Sequence, residues 1–318
     1  MLPLSYTTSP LLSDFLRDID ILRRHILLAP LPPSQELDLE WRSRLERIHG
    51  TLALTTSPVS MRLITATLTH PKKRATSDEE RIIACRQTLS FIRHQWTASP
   101  ESPTPETLAE IAQYLFPTRK ERVRRSINAA EHDIRQVLRY VEAKPDHPVV
   151  VAATLHFAFL VHSPIPDHDG LLSRAVCALT LAQHGYDLRG MAAPEAVYGK
   201  DPHAYQHASE VAQKQSTITS WLEYVAHSIR RSYQSLWSDI EKINREPQAL
   251  RSEGLPLSDR QKKIIEFLAD PTATITNRMV QKHFRVSQIT ASRDLARLAS
   301  LGLLYTHGKG RAVSYTRA

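Results

Sequence analysis

The sequence predicts a mainly α-helical protein: a larger helical domain followed by a small α+β module at the C-terminus. Three observations carry that expectation. Apolar residues recur three and four positions apart through most of the chain, which is the spacing of one helical face. Stretches rich in proline, glycine and small polar residues, at 30–33, 97–105 and 246–256, punctuate the pattern. Only near the end, over residues 302–315, do two short apolar runs flank a glycine-rich turn as strands would.

A chain of 318 residues with 42% hydrophobic and 23% charged residues has the composition of an ordinary globular protein and is long enough for more than one domain. Cys85 and Cys177 stand far apart and outside any C-x-x-C, so neither a disulfide framework nor a zinc site is expected. Residues Met1 to Asp14 lack a basic segment followed by an apolar one, and the run from Val149 to Val161 is too short to span a bilayer. The expected compartment is the cytoplasm, with no membrane partner. The net charge is +8, and residues 255–318 hold eleven lysines and arginines against four acids, an excess of seven. A module with that excess is a candidate for a polyanion, most simply double-stranded DNA.

Taken in order, residues 1–33 hold an N-terminal helix whose apolar face is Phe15, Ile19, Leu22 and Ile26, stopped by Pro30, Pro32 and Pro33. Residues 34–245 form the larger domain. Its second helical pattern runs from Ser34 to Leu54, and Ser77 with Glu80 reads as a capping box opening a helix that runs through Ile92. A loop at 97–105 and a helix from Glu106 to Leu115 follow. The basic run Arg119, Lys120, Arg122, Arg124 and Arg125 shows no strand alternation and reads as a solvated face. Ala193 to Tyr205 reads as loop, and Tyr205 to Lys242 as a helix with Trp221, Leu222, Val225, Ile229, Leu236 and Ile240 as its apolar stripe. Residues 246–256 read as a linker.

The stretch from His147 to Arg189 organises this domain: a helix, a proline-rich turn, and a second helix whose start carries Asp167, Asp169 and Gly170. The first amides of a helix have no intrahelical partner and face outward with the positive end of the dipole, so such a start can hold an anion. Asp169 is also a favoured N-cap, expected to accept the amide hydrogens of Leu171 or Leu172 that an anion would otherwise use. His156, His162 and His168 recur every six residues, which does not place them on one helical face, so no metal site is expected.

These residues resemble the Fic family, whose signature His-Pro-Phe-x-Asp/Glu-Gly-Asn-Gly-Arg-x-x-Arg lies between two helices. Anchored on His147-Pro148, Ala152-Ala153, His156-Phe157, Phe159 and Gly185-Tyr186, the signature falls at 163–174 without a gap. The resemblance covers roughly residues 35–240. It implies a helical Fic-like fold and transfer of AMP from ATP to a protein hydroxyl. The motif His would be the base, the acidic residue would hold Mg²⁺, the Gly-rich turn would cradle phosphates, and the last Arg would bind the triphosphate. In this chain Ser163 stands at the His position, Pro164 matches and Ile165 replaces Phe. Asp167 matches the acidic residue, His168 stands for Gly, Asp169 for Asn, Gly170 matches, Leu171 replaces the first Arg, and Arg174 matches the last.

A serine hydroxyl does not accept a proton near neutral pH as imidazole does. His162, one residue away, would sit about 100° around a helix. Asp169 brings negative charge to an anion site, while His168 and Leu171 remove a close backbone approach and a cation. Transfer is therefore expected to be lost or nearly lost, with no cofactor; ATP and Mg²⁺ would be needed only if the site were active. The resemblance also implies an inhibitory helix, here Leu45 to Gly50 with His49 at the glutamate position, and a β-hairpin flap near residues 117–127.

Residues 257–318 resemble a winged helix-turn-helix. Arg260 to Leu268 and Asn277 to Phe284 read as helices, Val286-Ser287-Gln288 as the turn and cap, Ile289 to Ser300 as the recognition helix, and the residues around Gly308-Lys309-Gly310-Arg311 as a two-stranded wing. Such a helix places its N-terminal side chains on base edges, which makes Gln288, Thr290, Ala291 and Arg293 the reading candidates and Lys309 and Arg311 the phosphate or minor-groove contacts. The functional expectation is a DNA-binding regulator whose larger domain serves dimerisation or sensing, the alternative being an active adenylyltransferase acting on a protein target.

Overall fold

The computed structural model describes residues 4–245, apart from 71, 73, 145, 168 and 216, and residues 257–317, apart from 269, 271, 272 and 309–312. The larger domain is helical throughout: α1 (Pro10–Leu28), α2 (Pro33–Ala53), α3 (Met61–Thr69), α4 (Ser77–Trp96), α5 (Pro105–Leu115), α6 (Lys120–Ala129), α7 (Glu131–Glu142), α8 (Pro148–Val161), α9 (Leu171–Gln183), α10 (Pro194–Lys200), α11 (Pro202–Lys214) and α12 (Thr219–Arg245). The C-terminal module contains α13 (Asp259–Phe267), β1 (Ile275–Thr276), α14 (Asn277–Phe284), α15 (Gln288–Ser300), β2 (Leu304–His307) and β3 (Ser314–Arg317).

Helix α8 is apolar on every side because it is surrounded: residues 149, 150, 152–155 and 157–159 are buried, and His156 with them. It lies against α9, α7 and α12. The Trp221 indole of α12 donates to the carbonyl of Ala153 at 2.9 Å, which satisfies the one polar atom of a fully buried side chain. Helix α1 packs on α12 through Leu12, Phe15, Ile19 and Ile26 and belongs to this same core.

Proline acts here as a helix starter as well as a stop. Pro194 and Pro202 open α10 and α11, where the missing amide hydrogen costs nothing, so the expected loop at 193–205 is largely helical. The long helix expected after Tyr205 is two helices, α11 and α12. Helix α4 is capped one residue earlier than expected, by Thr76 and Glu79 in a reciprocal capping box. Residues 117–129 form a short 3-10 turn and α6, with Val123 and Ile127 buried, so no β-hairpin flap is present among the described residues there.

Helices α2 and α10 cross closely at Gly50 and Gly199. A Cβ on Gly50 would lie 2.0 Å from the Glu195 carbonyl oxygen, so any side chain there would drive the helices apart. Beside the crossing, Arg47 grips Glu195 with two hydrogen bonds, at 3.0 and 2.8 Å.

The C-terminal module is a three-helix unit with a three-stranded antiparallel sheet in the order β1-β3-β2, Ile275 opposite Tyr315 and Thr306 opposite Tyr315 on the other side. The hairpin β2–β3 was legible in the sequence; the two-residue strand β1 is too short to show a period. Ile264, Ile265, Leu295 and Leu298 join Leu37, Trp41, Ile82 and Cys85 in one apolar cluster, so the module is packed onto α2 and α4.

Candidate functional site

The loop from His162 to Gly170 links α8 to α9. His162 ends α8, its amide donating to the Ala158 carbonyl at 2.9 Å, and its side chain is exposed. The Ser163 hydroxyl oxygen accepts the Ile165 amide hydrogen at 3.4 Å, while Ile165 itself is buried. Asp167 turns back to accept the Leu172 amide hydrogen at 2.6 Å, the cap that α9 needs. Burial pushes the Asp167 carboxyl above its ordinary value, against the opposing pull of the Leu172 and Leu171 amides and Arg174.

Asp169 instead reaches the turn after α2, accepting the Thr56 amide hydrogen at 2.9 Å. Arg174 is 3% exposed. Its guanidinium donates to the carbonyls of Asp169 at 2.6 Å and Thr51 at 3.3 Å. Gly170 has a φ of 65°, and a Cβ there would meet Leu160 at 2.9 Å and Arg174 at 3.1 Å. Behind Arg174, the fully buried His156 shares a hydrogen bond with the Tyr205 hydroxyl at 2.9 Å, and burial, helped by Arg174, lowers its pKa to about 3. A cleft of about 710 Å³ runs between α7 and the end of α8, with His162 and Ser163 on its wall together with Asp133, Ile134 and Tyr140. Asp167 and Arg174 do not line it.

In the C-terminal module Ser287 caps α15, its hydroxyl accepting the Thr290 amide hydrogen at 3.2 Å. Ala291, Leu295 and Leu298 face the core, and Asp294, also buried, takes hydrogen bonds from Arg260 and Gln261 that fasten α13 to α15. The outward face is Gln288, Ile289, Ser292, Arg293 and Ala296. Asn277 at the start of α14 donates to the Ser292 hydroxyl at 2.7 Å and to the Gln288 carbonyl at 3.3 Å, setting the angle between the two helices.

Residues 260–318 match the DeoR-like helix-turn-helix domain. Over the full chain, a crystal structure of a Fic family protein from Desulfovibrio desulfuricans G20 is similar with a TM-score of 0.61 at 14% identity, covering 100% of this chain and 98% of that one. No curated protein matches significantly. The chain joins a Fic-like fold to a DeoR-like helix-turn-helix domain.

Within the Fic-like domain the structure divides the sequence-predicted residues into separate groups. His162 and Ser163 stand on an open cleft, Asp167 and Arg174 point into the protein, and His168 lies outside the described residues. The capping role expected of Asp169 belongs to Asp167, because Asp169 finds a partner 113 residues away in Thr56. His49 does not face Arg174: it lines a second cleft, with Arg42, Glu46, Lys200 and Asp239, and the group that α2 offers Arg174 is the Thr51 carbonyl.

In the helix-turn-helix domain Ala291 is 0% exposed and cannot touch a base, which removes it from the reading set. Thr290 is half-buried and engaged with Ser287 at 3.0 Å through its hydroxyl. Gln288 and Arg293 remain, while Lys309 and Arg311 lie outside the described residues. Sequence reasoning missed Ile289 and Ser292, although the apolar spacing Ala291, Leu295, Leu298 already places Ile289 on the opposite face and Ser292 on its flank.

Equally unforeseen are two arginines of the Fic-like domain that cap the recognition helix from behind: Arg44 of α2 donates to the Leu301 carbonyl and Arg86 of α4 to the Ser300 carbonyl at 3.3 Å. Cations at a helix C-terminus satisfy its free carbonyls and its dipole. Burial lowers the Arg44 pKa to about 10, which leaves it charged at neutral pH. The Tyr305 ring lies tilted against His94 with centroids 4.0 Å apart and Arg317 approaches Glu36 at 3.8 Å, so the contact runs from the end of α15 along the sheet.

Proposed function

We propose that the chain is a DNA-binding regulator whose Fic-like domain has lost, or nearly lost, AMP transfer. The observation that carries this reading is the direction in which α15 is mounted. Its C-terminal end is held by Arg44 and Arg86 of the Fic-like domain, and its N-terminal half, with Gln288 and Arg293, stays uncovered as a reading helix requires. The cytoplasm, with duplex DNA and either a second copy or a target protein as partners, is the setting this implies. No helix among the described residues is long and apolar enough to cross a membrane.

The residues of the Fic-like site do not fit the ATP and Mg²⁺ that the resemblance implies. The Asp167 carboxylate is committed to the first turn of α9, Arg174 is covered and bound to two main-chain carbonyls, and Asp169 sits against the turn after α2. A triphosphate would have to displace these partners before it could bind. The second reading, an adenylyltransferase acting on a protein hydroxyl, draws on the cleft beside His162 and Ser163.

Two measurements separate them. Fluorescence anisotropy of the full chain with random-sequence duplex should show binding that weakens steeply with salt as counterions are released. Labelled ATP with Mg²⁺ should leave no AMP on the protein or on a lysate, and Ser163→His alone should not restore it, because a base without an oriented triphosphate has nothing to act on. Robust labelling by the native chain would establish the second reading, and absence of duplex binding at low salt would end the first.

A further inference from the structure

Among the described residues the large apolar side chains that face solvent are few, and one of them sits where DNA would lie. Ile289, the second residue of α15, is 71% exposed. Every other apolar residue that a helix of this kind needs for folding is already inside: Ala291, Leu295 and Leu298 are each 0% exposed. Ile289 therefore adds nothing to the core, and as a β-branched residue it is not chosen for helix stability. A single exposed isoleucine is unremarkable on an ordinary surface. What singles this one out is its company.

Four residues on lies Arg293, so the two side chains are neighbours on the outer face, and Gln288 is exposed in the same first turn of α15. Ser292, the other polar residue of that face, is held by Asn277 at 2.7 Å. The free chemistry at the start of α15 is thus an amide, a guanidinium and a branched hydrocarbon. In the major groove an amide suits adenine and a guanidinium suits guanine. The one apolar group that a base pair presents there is the C5-methyl of thymine.

We propose that Ile289 is a specificity-determining residue that reads thymine through its C5-methyl, beside base contacts made by Gln288 and Arg293. The inference rests on the DNA-binding reading above. A hydrocarbon side chain has no donor or acceptor with which to distinguish other base edges, so its contribution comes from burying methyl surface against methyl surface. Its size should be that of about one buried methyl group, roughly fourfold in affinity.

The test begins with the full chain and a random-sequence duplex pool, from which bound sites are selected at fixed salt. Within the selected site each thymine is then replaced singly by deoxyuridine, which removes the methyl and keeps every hydrogen bond of the pair. The native chain should lose about fourfold at one or two of these positions and nothing at the others. Ile289→Ala should bind the thymine and deoxyuridine duplexes alike, and Ile289→Val should retain the difference; the exposed position makes both variants safe for folding.

If the native chain binds every deoxyuridine duplex as tightly as the thymine one, or if Ile289→Ala still discriminates, the proposal is overturned. It is overturned equally if Ile289→Ala leaves DNA binding untouched and instead dissociates a dimer in sedimentation, since Ile289 would then belong to a protein contact. Failure of the native chain to bind any duplex would end the DNA-binding reading itself, a result distinct from indifference to the methyl.

Discussion

The start of α9 and the start of α15 are both helix openings that follow a short turn, and both carry polar side chains, but they use them in opposite directions. At α9, Asp167, Asp169 and Arg174 all turn toward the protein, where an amide of α9, an amide beyond α2 and two carbonyls receive them. At α15, Ser287 caps the helix start and Asn277 bonds the Gln288 carbonyl and the Ser292 hydroxyl, while the side chains of Gln288, Ile289 and Arg293 are left facing outward. A residue that satisfies the protein's own polar groups is withdrawn from binding, because displacing it would leave a buried group unpaired. What remains after that internal satisfaction is the set on which function can draw.

The largest effect that would sharpen this comparison is at Arg174. Removing it should strand the carbonyls of Asp169 and Thr51 and destabilise the chain by about 3 kcal/mol, read by urea denaturation, with no change in calorimetric heat on adding ATP and Mg²⁺. A stable Arg174→Ala variant that had lost micromolar ATP binding would break the comparison, since Arg174 would then be a ligand residue.

His156, behind Arg174, supplies a pH signature for the same inward-facing region. Its pKa is about 3 in the fold against 6.5 for an unperturbed side chain, so below 6.5 the unfolded chain takes up a proton that the folded chain refuses. The stability it contributes is fully present above pH 6.5 and is lost as the pH falls toward 3. Thermal melts across that window should fall with acidification, and His156→Gln should flatten the slope.

On the outward-facing side, Arg293→Ala should cost about 1–3 kcal/mol of DNA affinity and relax sequence preference, measured by competition with selected and scrambled duplexes. Its melting temperature should stay that of the native chain, because the side chain is exposed. The smallest effect is expected where the two regions are joined. Arg44→Ala should remove one cation from the end of α15, about 1 kcal/mol, and appear as faster hydrogen exchange in residues 301–304 while the N-terminal half of the helix is unchanged.

Much of this molecule could be read from spacing alone. Helix α14 runs from Asn277 to Phe284 as its sequence indicates, α15 starts one residue earlier than expected, and the basic excess marks the module that matches a helix-turn-helix domain. The substitutions at Ser163, Asp169 and Leu171 were equally plain in the Fic-like stretch. These features depend on neighbours within one or two helical turns, where periodicity and capping act, and the order of residues is sufficient to specify them.

The partners of those residues were decided only by the path of the chain. Asp169 meets Thr56 across 113 positions, Arg44 reaches Leu301 across 257, and His49 turns to a different cleft from the one its motif position suggests. The module's apolar residues meet Leu37, Trp41, Ile82 and Cys85 of α2 and α4, and Gly50 is required because α10 crosses there. No local rule contains such pairings: they arise when distant segments compete to bury the same apolar surface, and the polar groups carried along must then find partners wherever the packing leaves them.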